Sequence, residues 1–410
     1  MSVRLVLIII NAVALAAVLT YVVVTLRATP VTRAPQNLTP FLSDDDLEGR
    51  RLERALGWAL IGSAVVAVSL PLYWLREPTR EKQSIAYFAD GSAERGSVLF
   101  ANKQSLHYSN VSSLLCADCH GLDGSGGAAS TTYTPPGAST PMRVSWKAPA
   151  LNTVLLRFTE DEVRSIITYG RPGTPMQAWG VAGGGPKNEQ SVGDLLAYVK
   201  TLQISPAEAQ AQEAAALATS KAQPQKQLDD ATAAVKAAQS KLDGLKANAD
   251  AKPEDVKVAE DELGAAKDAL AWAQDWLARR KDVSDGQILF ELNCARCHTA
   301  NWSIFDPTTN TPEKINLGIA GGGGTQGFNL RDGQTMRRFG PGTAPGSDGF
   351  KSHVDFVTNG SENNKLYGVN GIGSGRMPGF AGLLTDEQIS AIVEYERTML
   401  DRNDPSIPKD

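Results

Sequence analysis

The N-terminal part of the chain contains two long apolar runs, Leu5–Leu26 and Leu56–Leu75. Each holds about 20 almost uninterrupted apolar residues, the length with which a helix crosses a lipid bilayer. Tyr73 and Trp74 stand at the end of the second run, and aromatic side chains favour the membrane interface. No small-residue cleavage site directly follows the first run, which favours a retained span over a signal peptide. The pattern therefore predicts a membrane anchor with two transmembrane helices within residues 1–83.

Basic residues give the anchor a predicted orientation. The arginines of the loop between the two runs are Arg27, Arg33, Arg50, Arg51 and Arg54. Only Arg4 precedes the first run. Because positive charge is enriched in cytoplasmic loops, this loop is predicted on the cytoplasmic side. The N-terminus and everything after the second run are then expected outside.

Residues 205–281 are rich in alanine and carry a seven-residue apolar repeat. The positions of the repeat are Leu228, Ala231, Val235, Ala238, Leu242 and Leu245, followed by Val256, Ala259, Leu263, Ala266, Leu270, Ala273 and Leu277. A short break at residues 248–253 separates the two sets, which predicts an antiparallel helical hairpin. Pro224 is expected to separate this hairpin from an earlier helix, residues 206–220. No residue of the segment suits a metal ion, so it is interpreted as a spacer or docking element.

Shorter helical patterns occupy residues 84–204 and 282–410. The predicted helices include residues 93–100, 159–167 and 191–202 in the first region and residues 285–290, 353–359 and 385–400 in the second. Thr159 and Glu162 have the spacing of a capping box, and Thr385 is the expected N-cap of the last helix. The 410-residue length allows several such domains.

All four cysteines fall into two copies of one motif, Cys-x-x-Cys-His. The copies consist of Cys116, Cys119 and His120, and of Cys294, Cys297 and His298. This motif attaches c-type haem: the thiols bond to the porphyrin, and the histidine ligates the iron. The alternatives are a zinc site, a redox dithiol or a disulfide pair. One zinc ion held by all four cysteines would leave both histidines unused and would join distant segments, so the sequence favours two covalent haems c.

A methionine in a Gly/Pro-rich loop follows a predicted helix in each region. Met176 lies in the loop after residues 159–167, and Met377 begins a Met-Pro-Gly-Phe sequence before the last helix. These loops resemble the distal-ligand loop of class I cytochrome c, which implies that Met176 and Met377 are iron ligands, and a thioether suits haem iron. The rival methionines, which precede those helices, are Met142 and Met336. The two histidines outside the motifs, His107 and His353, are interpreted as surface or core residues.

The order of these features resembles class I cytochrome c, in two copies. In that family a glycine and an aromatic residue of the first helix, here Gly96 and Phe100, pack against the last helix. The resemblance implies a mainly α fold: two N-terminal transmembrane helices, cytochrome c domains at residues 84–204 and 282–410, and the hairpin of residues 205–281 between them. It also implies a bacterial cell membrane with the haem domains on the outer face, where c-type haem is attached.

The whole arrangement is similar to membrane-anchored dihaem subunits of bacterial respiratory complexes. One family is the cytochrome cc subunit of actinobacterial bcc complexes, which implies one-electron transfer beside cytochrome b and Rieske iron–sulfur partners. That family usually carries its haems ahead of a C-terminal span. The alternative is the dihaem electron-entry subunit of a cbb3-type haem–copper oxidase, and a helical hairpin is typical of neither family.

Other functions are weighed against this one. A dihaem peroxidase would need an open iron position, which a placed methionine in each domain opposes. A sensor or assembly factor would lack a redox partner. The net charge of −5 gives no reason to expect nucleic acid, and membrane lipid is the other expected partner. The predicted spans lack ionisable interior residues, so we expect no substrate chemistry on this chain and assign any quinol oxidation to a partner.

Overall fold

The computed structural model describes residues 49–133, 142–171, 174–298, 329–331, 333–361 and 377–400, with isolated positions at Gly327 and between Val13 and Val24. The chain divides into two units, Met1–Gln83 and Ser84–Asp410. Helices make up most of the described residues, so the expected mainly α class is confirmed.

Helix α1, Arg50–Phe100, contains the second predicted span. Its apolar stretch has a mean hydropathy of 1.9, and the helix is long and apolar enough to cross a membrane. This stretch is not buried against any other described part of the chain. Pro71 and Pro78 lie inside this helix without ending it. The short helix predicted at residues 93–100 is therefore the end of α1. The first predicted span, Leu5–Leu26, lies outside the described residues except for isolated positions.

The first region, residues 84–204, surrounds the first cysteine motif. Its further elements are α2, Cys116–His120; β1, Gly127–Tyr133; β2, Met142–Ala148; α3, Glu160–Tyr169; and α4, Glu189–Thr201. The antiparallel pair of strands was not expected from the sequence. The predicted capping box of Thr159 and Glu162 is present at the start of α3. The buried core joins α1, α3 and α4 through residues such as Phe100, Val163 and Leu196.

The middle segment is a pair of long helices, α5, Pro206–Ala247, and α6, Pro253–Arg280. Leu242, Ala259 and Leu263 are buried between them, at positions of the predicted seam. Lys241 bonds Glu262 across the pair with an Nζ–Oε2 distance of 2.6 Å. The helices thus form the antiparallel hairpin, but the expected break at Pro224 is wrong. Pro224 is buried inside α5, which is continuous from Pro206.

The second region, residues 282–400, repeats the helices of the first around its own motif. Its elements are α7, Asp285–Asn293; α8, Ala295–His298; α9, Gln334–Phe339; α10, Asp348–Asn359; and α11, Asp386–Tyr395, which continues as a π-helical turn, Glu396–Leu400. The core of this region includes Phe290, Val357 and Ile392. Ala209 of α5 is fully buried in the same core, so the start of α5 is part of its packing.

One close helix crossing occurs in both regions. A Cβ atom at Gly96 would lie 1.9 Å from the carbonyl oxygen of Asp194, and one at Gly286 would lie 2.0 Å from that of Ala391. Beside these glycines, the ring of Phe100 lies 5.2 Å from Tyr198, between centroids, and the matching pair in the second region is 5.5 Å apart. The expected packing of Gly96 and Phe100 against the last helix is confirmed.

Candidate cofactor sites at the two cysteine motifs

The first motif is held on a single turn of helix between two residues with positive φ. Leu115, before α2, has φ 62° and ψ 30°, a left-handed conformation that a leucine rarely adopts. Gly121, after α2, has φ 80°. The chain then turns back, and the N–H of Gly126 donates to the carbonyl oxygen of His120 at 2.9 Å. The turn therefore fixes both cysteines and the histidine on one short segment.

His120 is placed as a metal ligand would be. Its ring is 8% exposed, and Nδ1 lies 2.9 Å from the carbonyl oxygen of Pro149. Because that bond is made by an Nδ1–H donor, it selects the tautomer whose Nε2 carries a lone pair. Burial lowers the pKa of His120, against the opposing effect of the Pro149 carbonyl. The neutral ring can therefore ligate a metal through Nε2.

The thiols lack the character of redox-active cysteines. Burial raises the pKa of Cys116 to about 12 and also raises that of Cys119. Burial raises the pKa of Cys294 well above its usual value, with a further contribution from the charge of Glu396. Redox dithiols instead have a lowered pKa. These three thiols form no disulfide, and in the described part of the chain no three His, Cys, Asp or Glu side chains gather as a metal site.

A glycine packs against the backbone of each motif, and no sequence pattern singled it out beforehand. A Cβ at Gly127 would lie 2.6 Å from the carbonyl oxygen of Cys119, and one at Gly327 would lie 2.5 Å from that of Cys297. The same Cβ at Gly327 would be 2.7 Å from Nδ1 of His298. His298 is 7% exposed. The two motifs therefore share a close backbone neighbour that only glycine can provide.

The loops with Met176 and Met377 have the same backbone geometry. Helix α3 ends at Gly170, and the next N–H, that of Arg171, donates to the carbonyl oxygen of Met176 at 2.8 Å. Helix α10 ends at Gly360, and the N–H of Ser361 donates to the carbonyl oxygen of Met377 at 3.0 Å.

The distance between the helix-ending glycine and the methionine carbonyl is also the same in both loops. A Cβ at either helix-ending glycine would lie 2.5 Å from the methionine carbonyl oxygen, and both glycines have a positive φ. Met176 and Met377 therefore occupy equivalent, half-buried positions in the two regions.

The rival methionines lie elsewhere. Met142 is the first residue of β2 and pairs with Tyr133. Met336 lies in α9, and its sulfur accepts a hydrogen bond from Nη2 of Arg397 at 3.0 Å. His107 is exposed, whereas His353 is buried in the core of the second region.

The two motif regions pack directly against each other. A Cβ at Gly382 would lie 3.4 Å from Cβ of Leu156, and Leu156 packs on the core of the second region. The guanidinium carbon of Arg157 lies 6.0 Å from the centre of the Phe380 ring. Burial lowers the pKa of Arg157 to about 10, and the charge of Arg296, within the second motif, acts in the same direction.

Helix α5 bridges the same junction. Nδ2 of Asn152 donates to Oε1 of Gln212 at 2.9 Å, and Nδ2 of Asn293 donates to Oε2 of Glu213 at 3.1 Å. Asn293 directly precedes Cys294. Neighbouring side chains of one helix therefore bond to both regions, which fixes the two motifs relative to each other.

Comparison with known proteins gives no match to a family model, to a curated protein or to a solved structure. The assignment of the two sites consequently depends on the motifs and on the geometry that they share.

Proposed function

We propose that this chain is a membrane-anchored dihaem cytochrome c that carries electrons one at a time. The observation that carries the proposal is the repeated geometry: each Cys-x-x-Cys-His motif is matched by a methionine loop of the same backbone structure. Two unrelated loops would have no reason to bond the N–H after a helix-ending glycine to a methionine carbonyl. A c-type haem bound in each site would supply an iron centre that changes its charge by one electron.

Each residue of the sites has a distinct role in this proposal. Cys116, Cys119, Cys294 and Cys297 would hold the two haems by thioether bonds. His120 and His298 would each supply an imidazole nitrogen to the iron, and Met176 and Met377 would each supply a thioether sulfur. The bond between His120 and the Pro149 carbonyl orients the imidazole and increases its basicity.

Electron transfer, rather than chemistry on a substrate, agrees best with this ligand set. A histidine and a methionine on each iron would leave no position open to peroxide or another substrate. His120 and His298 are both buried, so the side of each site that they occupy is shielded from water. We therefore place the chain as a relay between two redox partners.

The anchor determines which partners the chain meets. In our proposal Leu5–Leu26 and Leu56–Leu75 both span a bacterial cell membrane, and the two motif regions lie on its outer face. The basic loop between the spans then lies in the cytoplasm. A chain so placed would serve as the cytochrome c subunit of a quinol-oxidising complex with cytochrome b and Rieske subunits, or as the electron-entry subunit of a haem–copper oxidase.

The first test is the covalent haem content of the full-length chain. The protein would be produced in a host with a c-type haem attachment system, and its haem would be measured after extraction with acidified acetone. We expect two non-extractable haems per chain, one in a Cys116→Ala/Cys119→Ala variant and one in a Cys294→Ala/Cys297→Ala variant. Wild-type protein that folds without covalent haem would contradict the proposal.

The second test identifies the partners. The tagged chain would be purified from its own membranes in mild detergent, and the accompanying subunits would be identified by mass spectrometry. Cytochrome b and an iron–sulfur protein would indicate a quinol-oxidising complex. A haem–copper subunit without them would indicate an oxidase.

A further inference from the structure

The internal repeat allows the two regions to be compared position by position. Helices α3 and α10 both end at a glycine, so Val163 corresponds to His353, each seven residues before that glycine. The tyrosines of the final helices, Tyr198 and Tyr395, pack on equivalent phenylalanines. Val199 therefore corresponds to Glu396, each directly after its tyrosine.

At this pair of positions the two cores differ in chemistry. In the first region Val163 and Val199 are 4% and 3% exposed, and both are apolar. In the second region Nε2 of His353 lies 3.1 Å from Oε2 of Glu396, and these side chains are 3% and 4% exposed. The ring of Phe339 stacks on His353 at a centroid distance of 4.2 Å. An acid–base pair thus replaces two valines inside an otherwise equivalent core.

Burying an ionisable pair costs desolvation free energy. In the first region, Val163 and Val199 fill the equivalent positions without that cost. Replacing such a pair with apolar residues is often neutral or stabilising. The second region therefore retains the pair at no evident gain in packing, which points to a role that depends on charge.

The pair is electrostatically connected to the second motif. The charge of Glu396 contributes, after burial, to the raised pKa of Cys294. It also contributes, after burial and the charge of Glu291, to the raised pKa of Tyr395. A charge that acts on the thiol of Cys294 also acts on a redox centre attached there, because both interactions follow Coulomb's law through a poorly screened interior.

Other ionisable groups surround the pair. Arg397, the next residue, is 1% exposed and donates to the carbonyl oxygens of Gly340 and Gly342 at 2.6 and 2.8 Å. From other elements, Arg338 lies beside the Phe339 ring that stacks on His353. The charges of Arg331, Arg280 and Glu291 act on Tyr395, the residue directly before Glu396. On α10 itself, Lys351 is exposed. Arginine side chains remain protonated in the physiological range, so the positive charges near the pair stay constant.

We propose that His353 and Glu396 form a redox-linked proton site for the second haem. The pair takes up one proton from solvent when that site gains one electron from a one-electron donor, and it releases the proton when the electron leaves. The proton compensates the added negative charge inside the core, and linkage makes the effect reciprocal. The inference rests on the proposed dihaem function and assigns proton coupling to one of the two sites only.

The test is a redox titration of the purified full-length chain at several pH values between about 5 and 8, where histidine ordinarily titrates. The two haems are assigned with the Met176→Ala and Met377→Ala variants. Since the reduced second site binds the proton more tightly, its midpoint potential is expected to fall as pH rises. The potential of the first site, which has Val163 and Val199, is expected to stay level over the same range.

The matched variant is His353→Val/Glu396→Val, which places the residues of the first region at the equivalent positions. It should remove the difference in pH dependence between the sites. Glu396→Gln keeps the shape of the side chain and should also abolish the slope, so the test does not depend on the double variant folding.

The outcomes separate this inference from the function on which it rests. A chain without covalent haem would overturn both. A dihaem chain whose second potential does not vary with pH, or varies equally in wild type and Glu396→Gln, would overturn the proton site and leave the electron relay standing.

Discussion

At the scale of single residues, methionines of this chain differ in their surroundings. Met176 and Met377 follow helix-ending glycines, and the backbone around each is fixed by the same hydrogen bond. Met336 instead has its sulfur beside the buried guanidinium of Arg397. The sequence distinguished these methionines by their order relative to the helices, and their role as ligands stays a prediction. It gave no sign of Pro149 as the partner of His120, because a backbone carbonyl carries no residue-specific signal.

The methionine ligands can be tested by spectroscopy. We expect Met176→Ala or Met377→Ala to remove about half of the far-red absorption of the oxidised protein, since each of two equivalent sites supplies one iron–sulfur bond. The measurement is the visible spectrum of each purified variant, with covalent haem content as the reference.

Met142→Ala and Met336→Ala are the matched controls for these variants. They should keep the full far-red intensity. A Met176→Ala or Met377→Ala variant that also keeps it would show that its methionine is not a ligand.

Helices could be predicted from the sequence where the signal lies within the element itself. The heptads of residues 205–281 predicted two antiparallel helices, and the capping signals at Thr159 and Thr385 predicted where two others begin. Pro224 misled the prediction, because α5 accommodates a proline that tertiary packing buries. Strand β1, Gly127–Tyr133, escaped notice because its residues alternate only weakly between polar and apolar. Strand β2, Met142–Ala148, alternates strictly, and this signal was overlooked.

The shared helix crossing gives a prediction about stability. Gly96→Ala and Gly286→Ala each place a Cβ atom about 2 Å from a backbone carbonyl oxygen, a clash that only movement of a whole helix can relieve. We expect each to lower the free energy of unfolding by about 3 kcal/mol, the upper end of the cost of overpacking. Denaturant unfolding of the full-length chain would measure it.

Gly244→Ala is the control for the crossing variants. Gly244 lies in α5 with no atom within 4 Å of its would-be Cβ. Alanine there should stabilise the chain by about 0.5–1 kcal/mol, since it removes glycine's extra entropy in a helix. Equal effects of all three substitutions would contradict the close crossing.

The hairpin seam makes a separate prediction. Leu263 is 7% exposed between α5 and α6, so Leu263→Ala should cost about 2–3 kcal/mol of local stability. Hydrogen exchange of the amides in α5 and α6 should accelerate, while the spectra of both sites stay unchanged. Val258→Ala, at a position that is 53% exposed, should leave exchange nearly unaltered; faster exchange there would argue against the seam.

At the scale of the whole molecule, the contact between the two motif regions could not be predicted from the sequence. Periodicity describes one element at a time, whereas the junction joins residues distant along the chain, such as Leu156 with Gly382 and Asn293 with Glu213. The hairpin's place in the chain left open whether it separates the regions or holds them together. The structure answers this, because the first turns of α5 bond to both regions.

The junction makes the last prediction. A Cβ at Gly382 would meet Leu156 at 3.4 Å, an ordinary contact, so Gly382→Ala should be tolerated. Gly382→Phe places a bulky ring beside Leu156 and should move the two regions apart without touching any predicted ligand. Electron tunnelling slows steeply with distance, so we expect slower electron equilibration between the two sites in Gly382→Phe, with both midpoint potentials and both spectra as in wild type. Photoreduction followed by time-resolved absorbance would measure this rate. An unchanged rate in Gly382→Phe would mean that electrons do not cross at this junction. A rate that is slowed equally in Gly382→Ala would mean that the contact is tighter than the geometry indicates.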